Sequence, residues 1–296
     1  MKMSKSASMI CALVTTFIWG TAFIAQDTGM DNIGPLTFNF ARFFVGFITV
    51  LPIALIFEKK KIVLEISSKS KVFYKYLFFM GISLFLGTFL QQAALQYTNI
   101  ANAAFFTVFY VPLVPILLFF IYSNKVHWSI WPSIGLCIIG VYLLSDFSNS
   151  EIMLGDALVI LCSVFWALHI IFAGKFMEIF DIPIFYAALQ ALFVATLSLL
   201  FSYLFEEIDF SKILLESSSI IYAGVLSGGI AFTLQMFAQK NIEETPAAII
   251  YSLEGVFAAI AGWIILNQFL NLSNVIGCFL ILIAVIFSQL APSSKN

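Results

Sequence analysis

Long apolar runs follow one another along almost the whole chain, separated by short polar stretches. A helix needs about 20 apolar residues to cross roughly 30 Å of hydrocarbon, and ten windows of about that length can be marked. They lie at Met9–Gln26, Leu36–Phe57, Val72–Leu95, Ala101–Tyr122, Trp128–Ser145, Leu154–Gly174, Ile182–Phe205, Ile213–Ala238, Pro246–Leu266 and Leu272–Leu290. The pattern therefore predicts an all-α membrane protein with ten transmembrane helices.

The lysines indicate how these ten helices are oriented. If the N-terminus is cytoplasmic, every lysine except Lys212 falls on the cytoplasmic side. Because positive residues concentrate in cytoplasmic loops, this distribution predicts a multi-pass protein of the cytoplasmic (inner) membrane with both termini cytoplasmic. The longest polar stretch, Glu58–Lys71, has two interpretations: a basic amphipathic segment on the anionic inner leaflet, or a loop that fixes the topology.

Composition agrees with a protein that sits in the lipid bilayer and excludes other classes. The chain is 61% hydrophobic and 10% charged, whereas soluble domains carry roughly 25% charged residues. No basic stripe accompanies the net charge of −2, so nucleic acid is not expected as a partner. Nothing resembles an ATP-binding loop. The four cysteines lie in apolar runs away from any histidine cluster, so we expect reduced packing residues, no cofactor and no metal site.

The two halves of the chain repeat each other weakly. LQQAALQYTNIANAA in the first half and LQMFAQKNIEETPAA in the second share leucine, glutamine, alanine and a closing Ala-Ala. Each stretch ends the third helix of five and opens the fourth, and Pro35 and Pro183 take the same place before the second helix of each half. The repeat predicts two five-helix units, residues 1–148 and 149–296.

A five-helix unit crosses the membrane an odd number of times, so the second copy is inverted relative to the first. Secondary transporters use this arrangement, and two near-equivalent packings of the halves expose a central site to each side in turn. A membrane enzyme would need a cluster of His, Asp or Glu at one bilayer face, and none is seen. A structural or signalling bundle has no comparable need for inverted halves. The repeat therefore favours a carrier without enzymatic activity.

Several segments are similar, in the correct order, to the signatures of a known family. They are FIWGTAFIAQDTG, PLTFNFARFFVG, ALQYTNIANAAFFTVFYVPLVPIL and IGLCIIGVYLL in the first half, and PAAIIYSLEGVFAAIAGWIILNQ and VIGCFLILIAVI in the second. These segments resemble the EamA-type ten-helix transporters of the drug/metabolite transporter (DMT) superfamily, and the resemblance covers essentially the full chain. It implies transport of a small metabolite, in a family whose substrates include amino acids, nucleosides, polyamines and drugs.

The chain also departs from the family pattern. Gly255 stands where the family usually has a proline after the glutamate, so we expect the kink of the ninth helix to be softened or shifted. The family also tends to carry Gly-Glu at the close of the fourth helix of each half. This chain has Asn124-Lys125 and Asn267-Gln268 at those places, so a mechanism that relies on acids there is not expected.

Two ionisable residues at membrane depth are candidates for function, because a charge in hydrocarbon is costly unless it is paired or faces water. Arg42, the chain's one arginine, lies roughly 9 Å below the outer end of helix two. It either clamps a substrate carboxylate, or it pairs with Asp27 or Asp31 or caps backbone carbonyls as a structural tie. Glu254 lies near the midplane of helix nine, where burial favours its neutral form. It is either a proton- or cation-coupling site or a hydrogen-bonded packing residue.

The remaining candidates come from the repeat and from helical spacing. Trp19 and Trp166 take equivalent places in helices one and six, and His169 follows Trp166 by three residues on roughly the same face. A lone histidine is also a common packing residue. Tyr110 corresponds to Glu254 in the other half. The candidate substrate-binding set is Trp19, Arg42, Gln91, Gln92, Tyr110, Trp166, His169 and Glu254.

The sequence thus predicts a secondary transporter that moves a small metabolite, such as an amino acid, across the cytoplasmic membrane by alternating access. Its central site is expected among helices one, three, four, six, eight and nine. An exporter or exchanger is the leading version. An importer on the same fold and a non-transporting membrane bundle are the alternatives. No pattern in the sequence predicts an oligomeric state.

Overall fold

The computed structural model of the protein describes residues 3–98, 100–144, 154–266 and 269–290, and every regular element within these ranges is a helix. We number the ten membrane crossings α1 to α10. They are α1 Lys5–Thr28, α2 Pro35–Phe57, α3 Lys59–Ala94, α4 in two parts (Ile100–Thr107 and Tyr110–Tyr122), α5 Ile130–Leu144, α6 Leu154–Ile179, α7 Pro183–Phe205, α8 in three parts (Ser217–Tyr222, Ala223–Ala231 and Phe232–Ala238), α9 in two parts (Glu244–Tyr251 and Leu253–Leu266) and α10 Leu272–Leu290. A short helix, Phe210–Leu215, precedes α8.

Within the described ranges, nine helices are long and apolar enough to cross a membrane, and α5 is a shorter apolar helix. The 15 residues of α5 rise only about 23 Å. The window predicted for it ended at Ser145, which lies outside the described residues, as does the predicted boundary between residues 148 and 149.

The start of α1 and the end of α10 lie on the same side of the helix bundle. Lys5 of α1 lines a cavity together with Ser288 and Gln289 at the end of α10. The hydroxyl of Ser8 also donates to the carbonyl of Phe237 at 3.4 Å, near the end of α8. An even number of crossings is needed to bring both ends to one side, so α5 counts as the tenth. We call this side the terminal face.

The stretch Glu58–Lys71 is helical rather than a loop. It forms the first turns of α3, which runs for 36 residues with a kink at Lys69. Ile62 and Ile66 pack against the core, whereas Val63 and Leu64 are exposed. The ammonium of Lys69 donates to the carbonyl of Ile179 at 2.9 Å, at the end of α6. The segment therefore anchors α3 to the second half on the terminal face.

Contacts between helices follow the internal repeat. The α1–α8 contact has a counterpart in α6–α3, the α1–α9 contact in α6–α4, and the α2–α8 contact in α7–α3. The α2–α7 and α5–α10 pairs map onto themselves when the two halves are exchanged. This exchange pattern confirms an all-α membrane fold built from two five-helix repeats, as the sequence predicts.

Three crossings are interrupted near the centre of the bundle. α4 is broken just before Tyr110, where Pro112 and Pro115 remove backbone donors. α9 is broken at Ser252, two residues before Glu254, although no proline is present there. The middle of α8 forms a π-helix, a rare form often found at functional sites. The kink of helix nine, which we expected to be softened or shifted, thus takes the form of a break at Ser252, just before the glutamate.

Candidate functional site

A narrow cavity of about 30 Å³, with recesses between its side chains, lies at the centre of the bundle. It has room for about one or two water molecules, so a larger ligand requires the surrounding helices to move apart. Seven crossings contribute to it: the six predicted ones and α2, which contributes Arg42. The lining side chains are Trp19, Phe23, Gln26, Arg42, Thr88, Gln91, Tyr110, Trp166, Ile170, Ser227, Phe232, Gln235, Tyr251 and Glu254.

The cavity lies where the two repeats meet. Ten of its lining residues form five pairs at equivalent repeat positions: Trp19 with Trp166, Phe23 with Ile170, Thr88 with Phe232, Gln91 with Gln235, and Tyr110 with Glu254. Residues from matching places in two repeats meet at a common point only if that point lies near the axis that relates them. The positions that line the cavity are therefore related by the pseudo-two-fold axis of the repeats, whereas several of the paired residues differ in type.

Aromatic rings form one wall of the cavity. The Trp19 ring lies 6.2 Å from the Trp166 ring, 5.2 Å from Phe232 and 5.5 Å from Tyr251, measured between centroids. The rings of Trp166 and Phe232 are nearly parallel at 6.3 Å. Such a wall suits the apolar part of a ligand or a cation held over a ring face.

Arg42 also lines the cavity and is held by amides. Its Nε donates to Asn39 Oδ1 at 2.8 Å and its Nη1 donates to Gln26 Oε1 at 2.7 Å. The side chain is only 3% exposed. Asp27 and Asp31 both lie in the described part of the chain, and no ion pair joins either of them to Arg42. The predicted pairing with these aspartates is therefore wrong, because two neutral amides take that place.

Glu254 faces its counterpart from the other repeat. Tyr110 Oη donates a long hydrogen bond of 3.4 Å to Glu254 Oε1. Among the described residues no lysine or arginine forms an ion pair with Glu254. One acid and one base thus line the same cavity, and each lacks an ion-pair partner there.

Several polar atoms around the cavity have no partner. Within the described residues, these include the indole N–H of Trp166, the hydroxyl of Tyr251 and both amide atoms of Gln235. Gln91, which is equivalent to Gln235, differs because its Nε2 donates to Thr107 Oγ1 at 3.1 Å. Buried polar groups are normally hydrogen-bonded, so donors and acceptors without a partner in a cavity are the groups that a polar ligand or water can bind.

Two predicted site residues lie behind the cavity wall. Gln92 Nε2 donates to the carbonyl of Gln26 at 2.8 Å and supports the turn of α1 that binds Arg42. His169 is fully buried, with its Nε2 3.1 Å from Gln190 Oε1 and its ring edge-on to Trp166. The other six predicted residues line the cavity.

Sequence reasoning missed Phe23, Gln26, Thr88, Ile170, Ser227, Phe232 and Tyr251. It gave Gln235 a structural or cavity role shared with the equivalent Gln91, but it left Gln235 out of the candidate set. The repeat register relates four of the missed residues as two pairs. Adding the spacing between Trp19 and Trp166 to Phe23 gives Ile170, and adding the spacing between Gln91 and Gln235 to Thr88 gives Phe232.

Ion pairs gather on the terminal face. Asp181, between α6 and α7, contacts both Lys61 of α3 and Lys240 after α8. Partial burial raises the pKa of Asp181, but the two lysines outweigh it and hold the pKa below its ordinary value. Within α6, Lys175 pairs with Glu244 of α9 at 3.3 Å. All the ion pairs found in the described part of the chain lie on this face.

The described residues contain no group of three or more His, Cys, Asp or Glu side chains that could hold a metal ion. The four cysteines are free. The cavity therefore offers charge, hydrogen bonds and aromatic surface to a ligand.

Comparisons with known proteins agree on the type of protein. The profile of the EamA-like transporter family matches residues 6–146 and again residues 153–290. A protein of Archaeoglobus fulgidus named an uncharacterized transporter is 30% identical over 96% of this chain and 86% of its own length. The uncharacterized transporter YoaV of Bacillus subtilis is 22% identical over 97% and 98%, respectively.

A solved crystal structure shares the fold with a TM-score of 0.79, at 17% identity, and the match covers 97% of this chain and 98% of that one. At this identity the likeness concerns the fold alone. The two family matches together span most of the chain. The protein is a member of the EamA-like transporter family, a multi-pass membrane transporter.

Proposed function

We propose that this protein is a secondary carrier that moves a small metabolite with a carboxylate and an amino group, an amino acid or a similar compound. The observation that carries the proposal is one cavity with a guanidinium and a carboxylate, neither in an ion pair with a described residue. A ligand with a negative group at one end and a positive group at the other can pair with both the guanidinium and the carboxylate. An ion without a partner in a low-dielectric site is costly, so such a ligand gains from both contacts.

Each end of the ligand has a defined place in this proposal. The carboxylate binds the N–H groups of Arg42 that Asn39 and Gln26 leave free, since a guanidinium has five donors. The amino group lies toward Glu254. The apolar part lies against Trp19 and Trp166.

Alternating access follows from the two repeats. Because the cavity lies where they meet, rocking one half against the other can open it to each side in turn. We propose export or exchange as the direction, with Glu254 as the site that exchanges a proton or the amino cation. The excess of lysines on the terminal face supports a cytoplasmic location for both termini in the inner membrane.

Counterflow in proteoliposomes tests the proposal. Proteoliposomes that contain the purified full-length protein are loaded with unlabelled amino acids. The entry of a labelled amino acid mixture is then followed at two pH values, one on either side of neutrality. The proposal predicts counterflow by the wild type and a flattened pH dependence for Glu254→Gln. Glu207→Gln is the matched control, because Glu207 is an exposed acid away from the cavity. Equal pH dependence in wild type and Glu254→Gln would refute the role of Glu254, and absence of counterflow by any of the compounds would refute the substrate class.

A further inference from the structure

α2 and α7 each begin without a cap from their own sequence. Gly34 and Ile182 occupy the N-cap positions, and neither makes a side-chain cap hydrogen bond. Each is followed by a proline at the first helical position. Ser, Thr, Asp and Asn are the residues that normally cap a helix, so the N–H groups of the first turn must find another acceptor or stay unsatisfied.

The acceptor comes from the far end of the partner helix. Glu206, which follows the last residue of α7, accepts from the N–H groups of Leu36 and Thr37 at 2.8 Å each, and from the Thr37 hydroxyl at 2.7 Å. Glu58, which follows the last residue of α2, accepts from the N–H groups of Ile184 and Phe185 at 3.2 and 2.8 Å. Each helix therefore caps the start of the other.

These two caps satisfy the whole first turn of both helices. The prolines have no N–H group, and the next two amides bind the glutamate. The fourth amide makes the first bond within the helix, from Phe38 to Gly34 and from Tyr186 to Ile182. A carboxylate at this place also interacts favourably with the positive end of the helix dipole. A Cβ on Gly34 would lie 2.5 Å from the Glu206 carboxylate oxygens, so glycine leaves room for the cap.

The arrangement has a simple origin in the sequence. α2 and α7 both contain 23 residues, both start with proline, and both are followed directly by glutamate. Two antiparallel helices of equal length, about 34 Å, bring each C-terminal end next to the other's N-terminal end. Glu58 and Glu206 are equivalent in the two repeats and lie on opposite faces of the bundle. Glu58 is only 6% exposed.

We propose that Glu58 and Glu206 hold α2 and α7 together as one rigid unit throughout the transport cycle, and that they act as positioning residues for the central site. A tilt or slide of one helix along the other would break a cap at one face or both. Arg42 follows the Glu206 cap by little more than one turn, and its equivalent Gln190 on α7 binds His169. The pair thus fixes the depth of Arg42 while other helices open and close. This role rests on the proposed function, whereas the caps themselves do not.

Hydrogen exchange on the full-length protein in detergent tests the caps without any substrate. Glutamine has one acceptor oxygen and can keep only one of the two bonds, so Glu206→Gln is expected to raise exchange about tenfold or more at Leu36 or Thr37 and to leave Ile184 unchanged. Glu58→Gln is the matched variant, with the opposite pattern. Thr37→Val keeps both backbone bonds and is expected to keep exchange slow. Equal exchange in all variants would overturn the cap assignment, whether or not the protein transports amino acids.

A covalent tie tests the rigid unit. In a variant without the four native cysteines, Gly34→Cys and Glu206→Cys are linked with a short bifunctional thiol reagent, and counterflow is compared before and after linking. If α2 and α7 move together, the linked protein keeps its counterflow and regains what Glu206→Cys alone has lost. If linking abolishes counterflow, this contact opens during the cycle and the proposal is overturned.

Discussion

Replacing Gln235 with leucine should make the protein more stable while weakening ligand binding. The side chain is fully buried in the cavity wall, and neither amide atom has a partner within the described part of the chain. A buried polar group without a partner costs about 1–3 kcal/mol. Leucine is slightly shorter than glutamine and leaves a small gap. We therefore expect a net gain of about 1–2 kcal/mol in the free energy of unfolding.

Gln91 supplies the matched control because it is the equivalent residue and is already hydrogen-bonded. Gln91→Leu removes the bond to Thr107 and should cost about 1 kcal/mol. Thermal unfolding of both variants in one detergent measures the two shifts, which should have opposite signs, and counterflow measures ligand affinity. If Gln235→Leu lowers the unfolding midpoint as much as Gln91→Leu does, then Gln235 is already satisfied. The cavity would then lack the free groups on which this reasoning depends.

Three further predictions concern charge, packing and pH. Arg42→Lys keeps the positive charge but cannot bind a carboxylate through two parallel hydrogen bonds. A hydrogen bond to a charged group contributes about 1.5–3 kcal/mol, so the Kd for the amino acid, measured by tryptophan fluorescence, should rise about tenfold or more. Unchanged affinity would contradict the proposed contact between Arg42 and the carboxylate. Gly46→Ala should lower the unfolding midpoint, because the added Cβ would lie 2.9 Å from the backbone of the π-helix in α8. Gly135→Ala is the control, since no atom lies within 4 Å of its added Cβ. Equal midpoints for the two variants would contradict the close packing of α2 on α8. Because its lysine partners hold the pKa of Asp181 low, its stabilising effect is complete above the ordinary pKa and is lost as pH falls through the lowered value. Asp181→Asn should therefore lower the free energy of unfolding by less than about 1 kcal/mol, since Asp181 and Lys61 are half exposed. This loss of stability should shrink in acid and in high salt. A loss that depends on neither would refute an ionic contribution.

Apolar length predicted the number and order of the crossings because every backbone polar group in a bilayer must be satisfied within a helix. The structure of the lysine-rich stretch Glu58–Lys71 was harder to predict, since its charges suggest a loop. It is helical because Ile62 and Ile66, one turn apart, have a core to pack against. That core comes from the second half of the chain, which local sequence does not reveal.

The repeat register predicted which residues take equivalent places in the two halves, such as Tyr110 and Glu254, and both of these line the cavity. It did not separate Gln91 from Gln92, because neighbouring residues on a helix differ by about 100° and only the packing of α3 decides which one faces the cavity. Nor did helical spacing show that His169, one turn after Trp166, packs against Trp166 and Gln190 and does not line the cavity. The caps by Glu58 and Glu206 join residues far apart in sequence, and their one signal is the equal spacing from proline to glutamate in both halves.

Accessibility of Ser227 from each side of the membrane tests the central claim most directly. Ser227 lines the cavity and is 4% exposed. In the variant without native cysteines, Ser227→Cys is labelled in oriented vesicles with a maleimide that cannot cross the bilayer, added outside or trapped inside. A carrier that alternates between two openings predicts labelling from both sides, slowed in each case by the transported compound. Labelling from one side alone, or from neither, would contradict the account.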